Sequence, residues 1–170
     1  MVAIIICRQI FMNSAIAAVI EFFKTQSWDY KEDGQRPVVY TAANAENGPL
    51  RCFVSAGNDN EHLVFISFFP AIAPPKKRRA CAEVITRINY DLLHGCFEMD
   101  FEDGEIRFRT SIGVLDIPIA PKQVEHLVFS NLAMMDRYIA PIMRVLYTSE
   151  RPDDALCQSL LIPFPRFSLN

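Results

Sequence analysis

Glycine is scarce, with six residues in 170 scattered among turns, so no glycine-rich phosphate loop is present. The three histidines, His62, His94 and His126, form no HxxxH or other metal-binding spacing. Each therefore reads as structural or solvated rather than as a ligand or base. The five cysteines, Cys7, Cys52, Cys81, Cys96 and Cys157, contain no CxxC pair, and an odd number cannot close into a disulfide set. Cys81 and Cys96 fall at apolar positions and read as inert buried thiols. A reducing cytoplasm is the simplest setting for such a chain. Basic excess is missing as well: 17 Lys and Arg against 20 Asp and Glu leave a net charge of −3. A nucleic-acid footprint is not expected on that balance. Long apolar runs are absent too, since no segment has the 18 or so uninterrupted residues that span a bilayer. Val2–Ile6 is apolar, but the only nearby basic residue, Arg8, follows it and no small-residue cleavage site comes after; it is not read as a signal peptide. No enzyme, metal site or cofactor is expected.

What is present is 51% apolar composition in a length suited to one domain over 1–170. The core is expected at about 14–155, with 1–11 as an N-terminal extension and 156–170 as a proline-containing tail. The most informative stretch is Cys96 to Ser111, where apolar and charged residues alternate and are broken only by Asp103-Gly104. That pattern predicts a hairpin with a two-residue type I′ turn at Asp103-Gly104. It places Phe101 opposite Ile106 and Met99 opposite Phe108, with Asp100 opposite Arg107 and Glu98 opposite Arg109. Glu98, Asp100 and Glu102 share a strand face, and the arginines make that face a salt-bridged one rather than a metal or acid–base site.

Helical spacing of Ile16, Val19, Ile20 and Phe23 predicts a helix over 14–25 capped by Asn13 or Ser14. Strands follow at 28–32, 38–43, 50–56 and 63–69, separated by turn compositions at Asp33-Gly34, Asn47-Gly48-Pro49 and Gly57-Asn58-Asp59-Asn60. Cys81, Val84, Ile85, Ile88 and Leu92 lie on one stripe of a helix over 75–93 that His94-Gly95 should stop. Pro121 opens a long helix carrying Val124, Leu127, Val128, Leu132, Met135, Ile139, Ile142 and Leu146 toward the core, kinked by Pro141. Pro152-Asp153-Asp154 begins a short helix around 153–161. Lys76-Lys77-Arg78-Arg79 reads as a solvated first helical turn before it reads as a phosphate contact.

The order α-β-β-β(β)-α-β-β-α is that of an α+β fold, an antiparallel β-sheet with helices packed on one face. Trp28-Asp29-Tyr30 after the opening helix, Phe65–Pro70, the helix end Arg87-Ile88-Asn89-Tyr90, the Phe97–Arg109 hairpin, and Asn131, Met135-Asp136 and Tyr138 on the last helix occur together. In that order and spacing, from about 14 to 155, the chain resembles the YbjN family of bacterial sensory transduction regulators. The resemblance implies a type III secretion chaperone-like fold, a cytoplasmic homodimer and binding of an unidentified protein client, and it supplies no catalytic residues.

Strand 63–69 is apolar on both faces, with Leu63, Phe65 and Phe69 on one and Val64, Ile66 and Phe68 on the other. Something must cover the second face: the protein's own helices or tail, a dimer partner, or a client. Val64, Ile66, Phe68, Met134, Tyr138 and Met143 are the candidate partner or dimer surface. The expected function is a non-enzymatic adaptor or regulator acting by protein–protein binding. The alternative is a signalling domain that senses a small ligand in a pocket between sheet and helices, and a nucleic-acid regulator using Lys76–Arg79 comes third.

Overall fold

The computed structural model of the protein describes residues 2–56, 61–114 and 118–159, with side chains described from 14 to 157 of these. The predicted turn at 57–60 and the tail beyond Ser159, with Pro163 and Pro165, lie outside the described residues. Helix α1 (Val2–Thr25) runs back well beyond the expected cap at Asn13 or Ser14. It ends in a Schellman arrangement: Ser27 N–H donates to Lys24 O and Trp28 N–H to Phe23 O, with Ser27 in the left-handed region at φ 54°. The Trp28 ring stacks on Phe23 at 5.7 Å, so the helix stop and the first aromatic cluster are one feature.

Four strands follow as a meander, β1 (Tyr30–Glu32), β2 (Val38–Ala45), β3 (Gly48–Ala56) and β4 (His62–Phe68). After α2 (Arg78–Asp91) come β5 (Cys96–Met99) and β6 (Ile106–Gly113), then α3 (Pro121–Tyr147) and α4 (Pro152–Ser159). The expected α+β order is observed. All six strands form one antiparallel sheet in the order β1-β2-β3-β4-β6-β5, so β6 inserts between β4 and its own hairpin partner.

The core lies between the sheet and the helices. Leu63, Phe65, Phe97, Ile106 and Phe108 from the sheet meet Val124, Leu127, Val128, Leu132 and Met135 of α3, all of them buried. Burying each such side chain contributes roughly 1.5–3 kcal/mol, against about 0–1 kcal/mol for an exposed ion pair, so this layer decides stability. A polar cluster centred on Asn131 interrupts it. Asn131, fully buried on α3, donates to Phe65 O, Phe108 O and Thr110 Oγ1 at 3.0–3.2 Å and accepts from Ser67 Oγ at 2.5 Å. Thr110 Oγ1 in turn donates to Leu127 O. These bonds register α3 against β4 and β6. Gln123 Oε1 accepts from Ala120 N–H at the start of α3, and the helix continues through Pro141 to Tyr147.

Two local expectations are corrected. The β5–β6 hairpin closes through residues 100–105 rather than a two-residue turn, with Met99 opposite Ile106, Phe97 opposite Phe108 and Glu98 opposite Arg107. The register differs from the predicted one by two residues, which preserves the faces. Gly104 has φ +85° as expected, but Asp103 does not share the positive φ that a type I′ turn requires. Asp100 Oδ1 instead accepts from Glu102 N–H and Asp103 Oδ1 from Glu105 N–H, and Gly104 O accepts from Ala73 N–H. Side-chain caps and a distant loop set the turn, and neither is visible in local alternation. Helix α2 stops at Asp91 with Leu92 extended, short of His94-Gly95. Gly95, at φ +79°, serves a close approach, since a Cβ there would lie 2.8 Å from Arg109 O.

Candidate functional site

Strand pairing determines what lies on the sheet face turned away from the helices. Tyr40 sits opposite Phe53, Phe53 opposite Ile66, and Ile66 opposite Arg109; one step along, Arg51 faces Phe68 and Phe68 faces Arg107. Because side chains alternate with period two, all of these share one face with Val64, Ser111, Cys96 and Glu98. The face has an aromatic ridge. Tyr40 and Phe53 pack at 6.3 Å between ring centroids, Phe53 and Phe68 at 5.7 Å. Ile66 is buried beneath its neighbours, Val64, Phe53 and Phe68 are half-buried, and Tyr40 is exposed.

Charge borders the ridge. The Arg51 guanidinium lies over the Phe68 ring, 5.4 Å from its centroid, a cation–π placement. On the other side Glu98 accepts from Arg107 Nε at 2.8 Å and Arg109 Nε at 2.7 Å. Partial burial opposes ionisation of Glu98, but the hydrogen bonds from Arg109 and Arg107 outweigh it and hold the carboxyl below its ordinary value. The predicted Asp100–Arg107 pair is replaced by this shared use of Glu98, a consequence of the two-residue register difference. Cys96 Sγ accepts from Arg109 at 3.5 Å, yet burial pushes its thiol up.

The structure divides the residues singled out in sequence. Val64, Ile66 and Phe68 lie together on this open face. Met134, Tyr138 and Met143 are half-buried against the core, and Tyr138 meets Phe97 edge-on at 5.8 Å, on the opposite side of the sheet. They form two surfaces, not one. Tyr40, Phe53 and Arg51 were missed; the alternation along 38–43 and 50–56, continued from strand to strand, is the signal that would have found them. Nothing local shows that His94 and His126 stack at 5.3 Å, or that His94 Nε2 is buried with no hydrogen-bond partner among the described residues. Burial, then the neighbouring His126, lowers the His94 pKa.

Other features read as structural. Burial raises Cys52 to about 12 and Cys81 to about 11, which removes them as nucleophiles at neutral pH. In the basic run, Lys77 Nζ donates to Thr148 O, and Arg78 donates to Ala73 O and Phe101 O, so these two cations tie loops together instead of standing solvated. Among the described residues no group of three or more His, Cys, Asp or Glu could hold a metal ion, and no helix is long and apolar enough to cross a membrane. A cleft of about 500 Å³ lies between α2 and α4, lined by Thr86, Arg87, Tyr90, Asp153, Leu156 and Cys157. At the sheet–helix interface, Ser67, Thr110 and Asn131 satisfy one another instead of converging on a ligand.

A family profile described as "Putative bacterial sensory transduction regulator" matches residues 15–143, the span from α1 into the last third of α3. The chain belongs to the YbjN family. A solved structure, "Crystal structure of YbjN, a putative transcription regulator from E. coli", is similar with a TM-score of 0.54 and 10% sequence identity. The match covers 73% of this chain and 87% of that one, and at such identity it shows the fold. No match was found among curated proteins. The YbjN description is that of a regulator and names no enzymatic activity.

Proposed function

We propose that this YbjN-family protein is a cytoplasmic, non-enzymatic regulator, a chaperone-like adaptor that acts by protein–protein binding as a homodimer with a protein client. The observation that carries the reading is the sheet itself, with one face packed under helices and the other presenting Tyr40, Phe53, Phe68 and Val64 over the buried Ile66. Contiguous apolar surface on a sheet face is the kind of area that partner binding covers. The second surface, with Met134, Tyr138 and Met143, lies on the helical side, which supports a division of roles between partner and second copy.

The test is Phe68→Glu, which places a charge in the middle of the apolar ridge. Partner recovery from native lysate and sedimentation of the purified protein are compared with wild type after circular dichroism confirms folding. Loss of recovery or of the dimer is expected, because an unpaired charge in an apolar interface is strongly disfavoured. Retention of both would end the proposal.

A further inference from the structure

The charge of the open face opposes that of the chain. Strand register places four cations, Lys31, Arg51, Arg107 and Arg109, on this face against one strand carboxylate, Glu98, with Asp100 and Glu105 beside Glu98 and Arg107 at the hairpin end, so cations still outnumber carboxylates there on a protein of net charge −3. Glu98 is already taken by Arg107 and Arg109, while Arg51 has, among the described residues, the Phe68 ring. Two open faces brought together would set cation against cation. Strand addition at β5 is closed as well: Asn89 of α2 donates to Phe97 O at 2.9 Å and accepts from Phe97 N–H at 2.8 Å, occupying the outward backbone groups of that edge residue. A partner therefore meets the face and not this edge.

We propose that the open face binds an acidic amphipathic helix of a partner protein, its apolar side on Tyr40, Phe53 and Phe68 and its carboxylates toward Arg51, Arg107 and Arg109. This rests on the face being the partner site. The distance fits: from β2 to β6 the face crosses three strand spacings, about 14 Å, which two to three helical turns cover. The ridge supplies the buried anchor and the arginines supply orientation, since bordering charges select partners and speed encounter more than they add affinity. Base stacking is a poorer fit, because the aromatic rings are tilted into one another and Arg51 already covers Phe68.

The experiment titrates the full-length protein with a labelled peptide of about 12 residues, with Leu and Phe at i, i+3, i+4 and i+7 and Glu elsewhere. Its analogue with Lys for every Glu is the control. Fluorescence anisotropy should show binding of the acidic peptide that weakens with salt and little binding of the Lys analogue. Arg51→Glu, on an exposed residue with no ion pair among the described residues, should weaken the acidic peptide about fivefold, the upper end for one exposed charge pair. Equal binding of both peptides, or indifference to Arg51→Glu, overturns the inference. So does comparable binding of an oligothymidylate of similar length. A Phe68→Glu-sensitive dimer that excludes the peptide overturns it too, and would assign the face to a second copy whose acidic hairpin tip reaches these arginines. If Phe68→Glu abolishes client recovery while the peptide never binds, only the charge assignment fails; if Phe68→Glu leaves recovery intact, the partner-site reading itself fails.

Discussion

Gly104 lies directly against Ala73: its carbonyl accepts from Ala73 N–H at 2.8 Å, and a Cβ on Gly104 would lie 2.1 Å from Ala73 O. Two loops far apart in sequence meet there, and Arg78 fastens them by donating to both Ala73 O and Phe101 O.

Gly104→Ala is expected to destabilise by about 1–3 kcal/mol, because φ +85° and a backbone clash both oppose a side chain. For a chain of this size that is a fall of roughly 2–4 °C in Tm per kcal/mol. An unchanged thermal melt would contradict the contact.

Ser27→Gly should have the opposite sign. Ser27 holds the left-handed position of the Schellman motif, which costs an L-residue about 1–2 kcal/mol. Glycine removes that cost and loses about 0.5–1 kcal/mol of chain entropy, so a rise of a few tenths to about 1 kcal/mol is expected in urea denaturation.

Asn131→Leu should cost about 1–3 kcal/mol, since it leaves Ser67 Oγ buried without its acceptor. Adding Ser67→Ala should recover part of that loss, because removing both partners is cheaper than removing one. A double-mutant cycle on equilibrium unfolding measures the difference; strictly additive values would mean the two side chains are not coupled.

His94 gives the fold a pH response. Its folded pKa lies below the ordinary value of 6.5, so the unfolded chain binds the proton more readily. The contribution is fully present above about pH 6.5 and is lost as pH falls from there toward the folded value. Tm should therefore drop on going from neutral to mildly acidic buffer, and His94→Gln should flatten that part of the profile.

Thiol titration at neutral pH is expected to leave Cys52 and Cys81 unmodified in the native protein and to detect them after denaturation. Their rapid native modification would contradict the buried, protonated state.

Periodicity made the element order readable because each helix and strand must turn its apolar side to one core. It placed Val84, Ile85, Leu127, Met135 and Ile142 inside, and put Val64, Ile66 and Phe68 on the second side of β4. Register was readable only to within its parity: an offset of two residues leaves the same side chains on the same face, and Ala73 and Arg78 decide between the alternatives. The candidate surface was partly legible for the same reason. Parity assigns Phe68 a side of the sheet but says nothing of Phe53 or Arg51 beside it, which depend on strand neighbours. Met134 and Tyr138 looked like continuations of that surface because a helix stripe does not state which side of the sheet it covers. Asn131 carried a signal, an amide inside an otherwise apolar stripe, whereas the stacking of His94 on His126 joins two elements with no local mark.

The seam between β4 and β6 has a kinetic meaning. His62 pairs with Gly113 and Phe68 with Arg107, so this ladder closes across α2 and β5, whereas β1 to β4 and the β5–β6 hairpin are built from neighbours in sequence. Loop-closure entropy makes such a distant pairing the slow step, and local hairpins form on microsecond timescales before it. Asn131, which bonds to Phe65 O on one side and Phe108 O on the other, is placed to fasten that last junction as α3 settles over it.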